Sequence, residues 1–125
     1  MTPAVNFVKQ KKIHHQLHEY SHEANCQAYG LEAVEKLGIE QARVFKTLVV
    51  MLESKELAVA VIPVANMLNL KAAAKGLQGK KVVMADKDKV VRSTGYVLGG
   101  VSPMAQKKKL RTTMLKKILM NFLNF

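Results

Sequence analysis

Two stretches of the chain are apolar at nearly every position. Val44 to Leu52 is rich in β-branched and aromatic residues on both parities, as is Leu57 to Val64, and the polar Glu53-Ser54-Lys55-Glu56 lies between them. This pattern predicts two buried strands joined as a hairpin at the centre of a sheet. Elsewhere the spacing is helical. Thr2-Pro3 reads as an N-cap followed by proline at the first helical position, with Val5, Val8 and Lys12 continuing a short helix to about Lys11. Leu31 to Leu37 has helical apolar spacing and stops at Gly38. Asn69 is placed to cap a helix through Leu77 that ends at Gly79, Lys81 to Met84 suits a short strand, and Asp86 can cap another helical segment. The polar, partly alternating stretch Ile13 to Tyr20 is β-compatible, and Tyr96 to Leu98 leads into a Gly99-Gly100 turn. Short strands alternating with helices, with one hairpin among them, predict an α+β (mixed α/β) domain built round one curved sheet flanked by helices.

At 125 residues with no repeat and no Pro- or Gly/Ser-rich linker, one domain is expected over 1–125. The single cysteine, Cys26, excludes an internal disulfide, and hence a disulfide-stapled scaffold. The apolar runs fall short of the roughly 20 residues needed to span a bilayer, and no basic segment followed by an apolar one opens the chain. A soluble, reducing, cytoplasmic setting is the expectation. The net charge of +11 is uneven: Asp88 is the last acidic residue, and everything after it is neutral or basic. That asymmetry favours a polyanionic partner, held through phosphate neutralisation, over a small neutral ligand; a merely soluble basic surface is the plain alternative.

Among residues with chemistry, Lys46 stands out because in a strand it shares a face with Val44, Leu48 and Val50, while Phe45, Thr47, Val49 and Met51 take the other. Neither face reads as solvent-bound. Such a lysine either reaches a partner or polar pocket, or snorkels its ammonium to the sheet edge. His14, His18 and His22 recur every four residues, but no Cys, Asp or Glu completes a metal-ligand pattern, so solvated histidines and no metal are expected. Nothing near Cys26 forms a Cys/His nucleophile signature. The run Gly99-Gly100-Val101-Ser102-Pro103 offers closely spaced backbone N–H groups able to hold a carbonyl oxygen or a phosphate, although Gly-Gly before Ser-Pro is also an ordinary turn.

Taken together, Met1-Thr2-Pro3-Ala4, Phe45-Lys46-Thr47-Leu48, Leu57-Ala58-Val59-Ala60-Val61, Arg92-Ser93-Thr94-Gly95-Tyr96 and Gly99 to Lys108 resemble the YbaK/EbsC family. These are freestanding cysteinyl-tRNA(Pro) deacylases related to the editing domain of prolyl-tRNA synthetase, and the resemblance runs in order and spacing from residue 1 to about 112. It implies a barrel-like sheet and hydrolysis, in trans, of the ester joining cysteine to tRNA(Pro), with no metal, no cofactor and no enzyme nucleophile. The substrate's own thiol is implied to assist. Lys46 matches the family's functional lysine, Thr47 lies beside it in the same motif, and Tyr20 with Gly99, Gly100, Val101, Ser102 and Pro103 match positions lining the substrate pocket. The implied partners are tRNA(Pro) carrying cysteine and prolyl-tRNA synthetase, with no obligatory membrane partner. The alternative within the same fold is a catalytically impaired tRNA-binding module.

The resemblance also implies a further strand with a Ser-Gly-Gly-Lys-Arg-Gly motif and a last helix after residues 106–108. This chain instead continues Thr112-Thr113-Met114-Leu115-Lys116-Lys117 and ends Asn124-Phe125, so a truncated or frameshifted C-terminal part is the expectation. Leu110, Met114, Ile118 and Phe122 recur four apart with Leu115, Leu119 and Leu123 alongside, which predicts an atypical basic amphipathic helix, centred on about 113–125, that covers apolar surface.

Overall fold

The structure is a computed structural model that describes residues 2–23, 29–97 and 100–114. Helix α1 spans Pro3–Gln10. Thr2, in extended conformation, accepts from the Val5 amide at 3.3 Å, and proline occupies the first turn, as the sequence predicts. Residues 13–23 then carry no regular secondary structure and join no ladder, so the β-compatible stretch Ile13 to Tyr20 is not a strand; even its apolar Ile13 and Leu17 stay exposed, with no described sheet edge covering them. Helix α2, Tyr29–Leu37, stops at Gly38, whose φ of 64° is left-handed.

Strands β1 (Phe45–Leu52) and β2 (Leu57–Pro63) pair antiparallel from Phe45↔Pro63 to Met51↔Leu57. The connection closes with the Lys55 amide donating to Leu52 O and the Leu52 amide to Glu56 O, both at 2.9 Å. Lys55 takes φ 73°, the left-handed position of a three-residue hairpin loop. Helix α3 (Leu70–Gly76) follows, capped by the Asn69 side chain, which accepts from the Ala72 amide at 3.0 Å. It is shorter than the run to Gly79 predicts, because Gln78 turns left-handed with φ 58°. Strand β3 (Val82–Met84) pairs antiparallel with β1, and α4 (Lys87–Thr94) ends at Gly95 with φ 77°. Asp86 holds the N-cap position of α4 without a side-chain capping bond.

The largest departure from the expected pattern is β4, Arg111–Met114, which pairs parallel with β2 from Ala58↔Arg111 to Val61↔Met114. The helical spacing places Thr113 and Met114 at the start of the amphipathic tail; the β-branched Thr112 and Thr113 instead cover the edge of β2, where strand hydrogen bonds outweigh helical spacing. The remainder of the expected tail, residues 115–125, lies outside the described residues, as do Leu98, Gly99 and Cys26. The described strands form an open sheet in the order β3-β1-β2-β4, not a closed barrel. The hairpin strands take its centre, as their apolar faces require.

One face of the sheet is sealed by α3: Val50, Leu52, Ala58 and Val82 pack with Ala73, Ala74 and Leu77. The approach is close enough that a Cβ on Gly76 would collide with the Thr113 side chain of β4. Arg111 ties this end together. Its guanidinium forms a two-pronged pair with Glu56, at 3.0 and 2.8 Å, and its third nitrogen donates to Leu77 O at 3.0 Å, an otherwise open carbonyl at the end of α3. The pair lowers the Glu56 pKa and raises that of Arg111. Glu53 works similarly in the hairpin, its carboxylate accepting from the Lys80 and Lys81 amides at 3.1 Å each. Its own amide and these two N–H groups hold its pKa below the usual carboxylate range.

Candidate active site

Lys46, the residue singled out by the sequence, lies in the half of β1 that α3 does not cover. Along β1 the last four residues are buried except Met51, whereas Phe45, Lys46, Thr47 and Leu48 are all half-buried. Lys46 stands opposite Ile62, which is fully buried, and its neighbours Phe45 and Leu48 pack against Val59, Val61 and Ile62. Of these, Leu48 and Ile62 share the face of Lys46, so its side chain leaves an apolar surface, while Phe45, Val59 and Val61 lie on the other face. Among the described residues the Lys46 side chain takes part in no ion pair and no hydrogen bond, unlike His22, Lys36 and Arg111. A half-buried lysine whose ammonium has no counter-charge in the described chain is available to an anionic or carbonyl oxygen. Thr47 stands opposite Val61 and, by the two-residue period of the strand, faces away from Lys46.

The loop after α4 is braced at several points. Buried Tyr96 donates its hydroxyl to Met104 O at 2.6 Å, and the Gln106 amide donates to Ser102 O at 2.9 Å. The Lys107 and Lys108 amides donate to Thr94 O and Ser93 O at 3.0 and 2.9 Å, satisfying open carbonyls at the end of α4. Within the loop the Gly100 amide is consumed by a turn, donating to Val97 O at 3.1 Å, and Met104 donates to Ser102 Oγ at 3.2 Å. Among the described residues the amides of Val101 and Ser102, both half-buried, are left without a chain acceptor. The usable donors of the Gly99 to Pro103 run are thus Val101 and Ser102, not Gly100. Pro103 has no N–H and is exposed, and Gly99 lies outside the described residues.

Tyr20 is half-buried at the end of the extended segment, just ahead of a clamp made by α2. Glu32, buried in the first turn of α2, accepts from the His22 ring Nδ1 at 2.6 Å and from the Glu23 amide at 3.0 Å. Lys36, one turn further on, donates to Ser21 O and lies 3.6 and 3.7 Å from the carboxylates of Glu23 and Glu32. The His22 hydrogen bond, then the Glu23 amide, hold the Glu32 pKa down to about 2, against the opposing pull of desolvation. The histidine row of the sequence is broken up here: His22 turns to Glu32, while His14 and His18 are exposed. Sequence reading passed over Glu32 and Lys36. The available signal was their i,i+4 spacing on a helix otherwise marked by apolar residues.

The structure thus puts Lys46 and Thr47 on opposite faces of β1, and Gly100, Val101, Ser102 and Pro103 in one braced loop. Among the described residues no hydrogen bond or ion pair joins Lys46 to Tyr20 or to that loop. No three described His, Cys, Asp or Glu residues are grouped as metal ligands, and no described helix is long and apolar enough to cross a membrane.

The chain thus presents an open α+β sheet with a half-buried lysine on a central strand and a braced loop after α4. Residues 25–119 match the model of the aminoacyl-tRNA editing domain, and the chain belongs to that family. It is 37% identical over 117 residues, covering 93% of this chain and 70% of the relative, to EbsC of Enterococcus faecalis (strain ATCC 700802 / V583), assigned as a Cys-tRNA(Pro)/Cys-tRNA(Cys) deacylase. Among solved structures it is similar to the hypothetical protein APE2540, with a TM-score of 0.72 and 26% identity, covering 90% of this chain and 73% of that one. A second, assigned as a trans-editing enzyme for prolyl tRNA synthetase, gives a TM-score of 0.64 at 25% identity, covering 73% of this chain and 57% of that one. The chain therefore spans little more than half the length of that structure.

Proposed function

We propose that the chain is a single-domain aminoacyl-tRNA deacylase that hydrolyses mischarged Cys-tRNA(Pro) in trans in the cytoplasm. The observation that carries this reading is Lys46: a half-buried cation on the central strand, leaving an apolar surface, with no partner in the described chain. Family membership and the relative assigned as a Cys-tRNA deacylase supply the substrate class. An aminoacyl ester is already activated, so holding its carbonyl against donors and a cation is enough to accelerate its cleavage. Lys46 orients the 3′-terminal ribose or phosphate, or polarises the carbonyl. The Val101 and Ser102 amides are the donors free to receive the developing oxyanion, and Tyr20, Gly100 and Pro103 are assigned to the pocket wall; Thr47 faces away from Lys46, and Gly99 lies outside the described residues. Water adds to the carbonyl carbon, the bond to the ribose oxygen breaks, and that oxygen departs with a proton. The substrate's thiol assists, and Cys26 takes no part.

Incubating the purified chain with mischarged tRNA(Pro) tests the reading. Ester loss that disappears in Lys46→Ala supports it. Tight binding of tRNA without ester loss assigns the chain instead to the non-catalytic tRNA-binding class. Prolyl-tRNA synthetase is the partner that would supply the choice of tRNA(Pro), since phosphate contacts carry no base identity; adding it to the reaction should raise selectivity for tRNA(Pro) over other Cys-tRNAs.

A further inference from the structure

After Asp88 no acidic residue interrupts the chain, and the fold collects much of that basic stretch on one surface. Arg92 of α4 is exposed, and so are Lys107, Lys108 and Lys109. The two backbone bonds from Lys107 and Lys108 to Thr94 and Ser93 lay this lysine run across the C-terminal end of α4. A Cβ at Gly95 would sit 3.7 Å from Lys107 Cβ, which shows how closely the run is seated. Arg92 uses its Nε only on Asp88 O, at 3.4 Å. Among the described residues none of these four cations is ion-paired, in contrast to Lys36 and Arg111. Asp86 and Asp88 lie at the opposite end of the helix.

The surface is also rigidly connected to the candidate site. The bonds Tyr96–Met104 and Gln106–Ser102 fix Ser102 to the same helix end that carries Lys107 and Lys108. Lysines act as point charges for phosphate, and no aromatic side chain is exposed among them to stack on bases, so the surface suits a sugar–phosphate backbone and not base readout.

We propose that the C-terminal end of α4 and the Lys107–Lys109 run form the docking surface for the RNA backbone. Phosphates seated on these lysines bring the aminoacyl end over the Gly100–Pro103 loop; this registration rests on the deacylase reading. The occupant is the backbone of a tRNA acceptor end. A membrane surface is the competing polyanion.

The test measures affinity for deacylated tRNA by fluorescence anisotropy between 50 and 200 mM salt, which requires no cleavage. The full chain carrying Lys107→Glu, Lys108→Glu and Lys109→Glu is compared with one carrying Lys11→Glu, Lys71→Glu and Lys75→Glu, which changes net charge equally at exposed sites elsewhere. The first should bind about tenfold or more weakly, with a log–log salt slope shallower by roughly two to three; the second should stay within about threefold of wild type. If the glutamate triple fails to fold by circular dichroism, the glutamine triple gives the same ordering with smaller losses. Equal weakening by both sets, or wild-type affinity in the first, overturns the surface. So does loss of binding to phosphatidylserine vesicles with tRNA affinity unchanged, which makes the surface a membrane contact. Patch-dependent tRNA binding by a wild-type chain that cleaves no ester retains the surface and defeats the deacylase reading. Cleavage with patch-independent binding does the reverse.

Discussion

The two halves of β1 pair with the same strand, yet they live in different surroundings. Val49, Val50 and Leu52 are buried, with Val50 and Leu52 under α3, while Phe45 to Leu48 stay half-open although their partners Ala60, Val61 and Ile62 are buried. The difference arises from what lies over the strand, because ladder hydrogen bonds are the same along its length. Where Ala73, Ala74 and Leu77 cover the sheet, each side chain gains apolar contact and stability. Where cover is thinner, a lysine can be tolerated, and with it an unsatisfied charge available to a ligand. On the deacylase proposal, one strand serves stability at its C-terminal half and chemistry at its N-terminal half.

The sharpest way to break this division is to damage the sealed half. Leu77→Ala should destabilise the fold by about 2–5 kcal/mol in a denaturant titration, from the lost transfer energy and the cavity beneath α3. Well below its melting temperature it should leave ester cleavage within a few-fold of wild type. A large loss of rate in the folded variant would show that the two halves are coupled. A smaller effect with an informative sign is expected at Gly76. In an open helix Gly→Ala stabilises by up to ~1 kcal/mol. Here the new methyl meets the Thr113 side chain, and overpacking of roughly 1–3 kcal/mol should reverse the sign. A raised melting temperature in Gly76→Ala would mean that β4 yields easily.

The smallest effect concerns the clamp beside Tyr20, and it is visible only in acid. Glu32 is held at about 2, below the ordinary carboxylate range, so its stabilisation is complete above about pH 4.5 and fades as pH falls toward 2. Glu32→Gln should therefore remove part of the acid dependence of unfolding, and raise KM more than it lowers kcat by loosening residues 21–23. An unchanged acid profile in Glu32→Gln would contradict the clamp.

Much of this was legible in the chain. The hairpin, its central place, the Thr2 and Asn69 caps and the stop at Gly38 followed from local patterns whose physical basis is local: apolar continuity, side-chain caps and left-handed glycine. The misread parts depend on distant partners. Thr113 and Met114 read as helix because spacing reveals nothing of a β2 edge that lies 53 residues earlier in the chain. Ile13 to Tyr20 read as a strand because alternation does not show whether an edge is available. At the site, Lys46 was legible from its apolar neighbours, whereas the use of the Gly100 amide by its own turn, and the freedom of Val101 and Ser102, are facts of geometry. Glu32 was missed because burial of a carboxylate on a short helix is decided by the segment that folds over it.

The division along β1 is tested most directly by Lys46→Met, an apolar side chain of similar length, measured for single-turnover ester cleavage and thermal melting in the same preparation. The expected result is a rate at least about a hundredfold lower, the loss typical of removing a charge-stabilising group, with the melting temperature unchanged or raised. Undiminished cleavage together with a lowered melting temperature would make Lys46 a snorkelling structural side chain and contradict its assignment to chemistry.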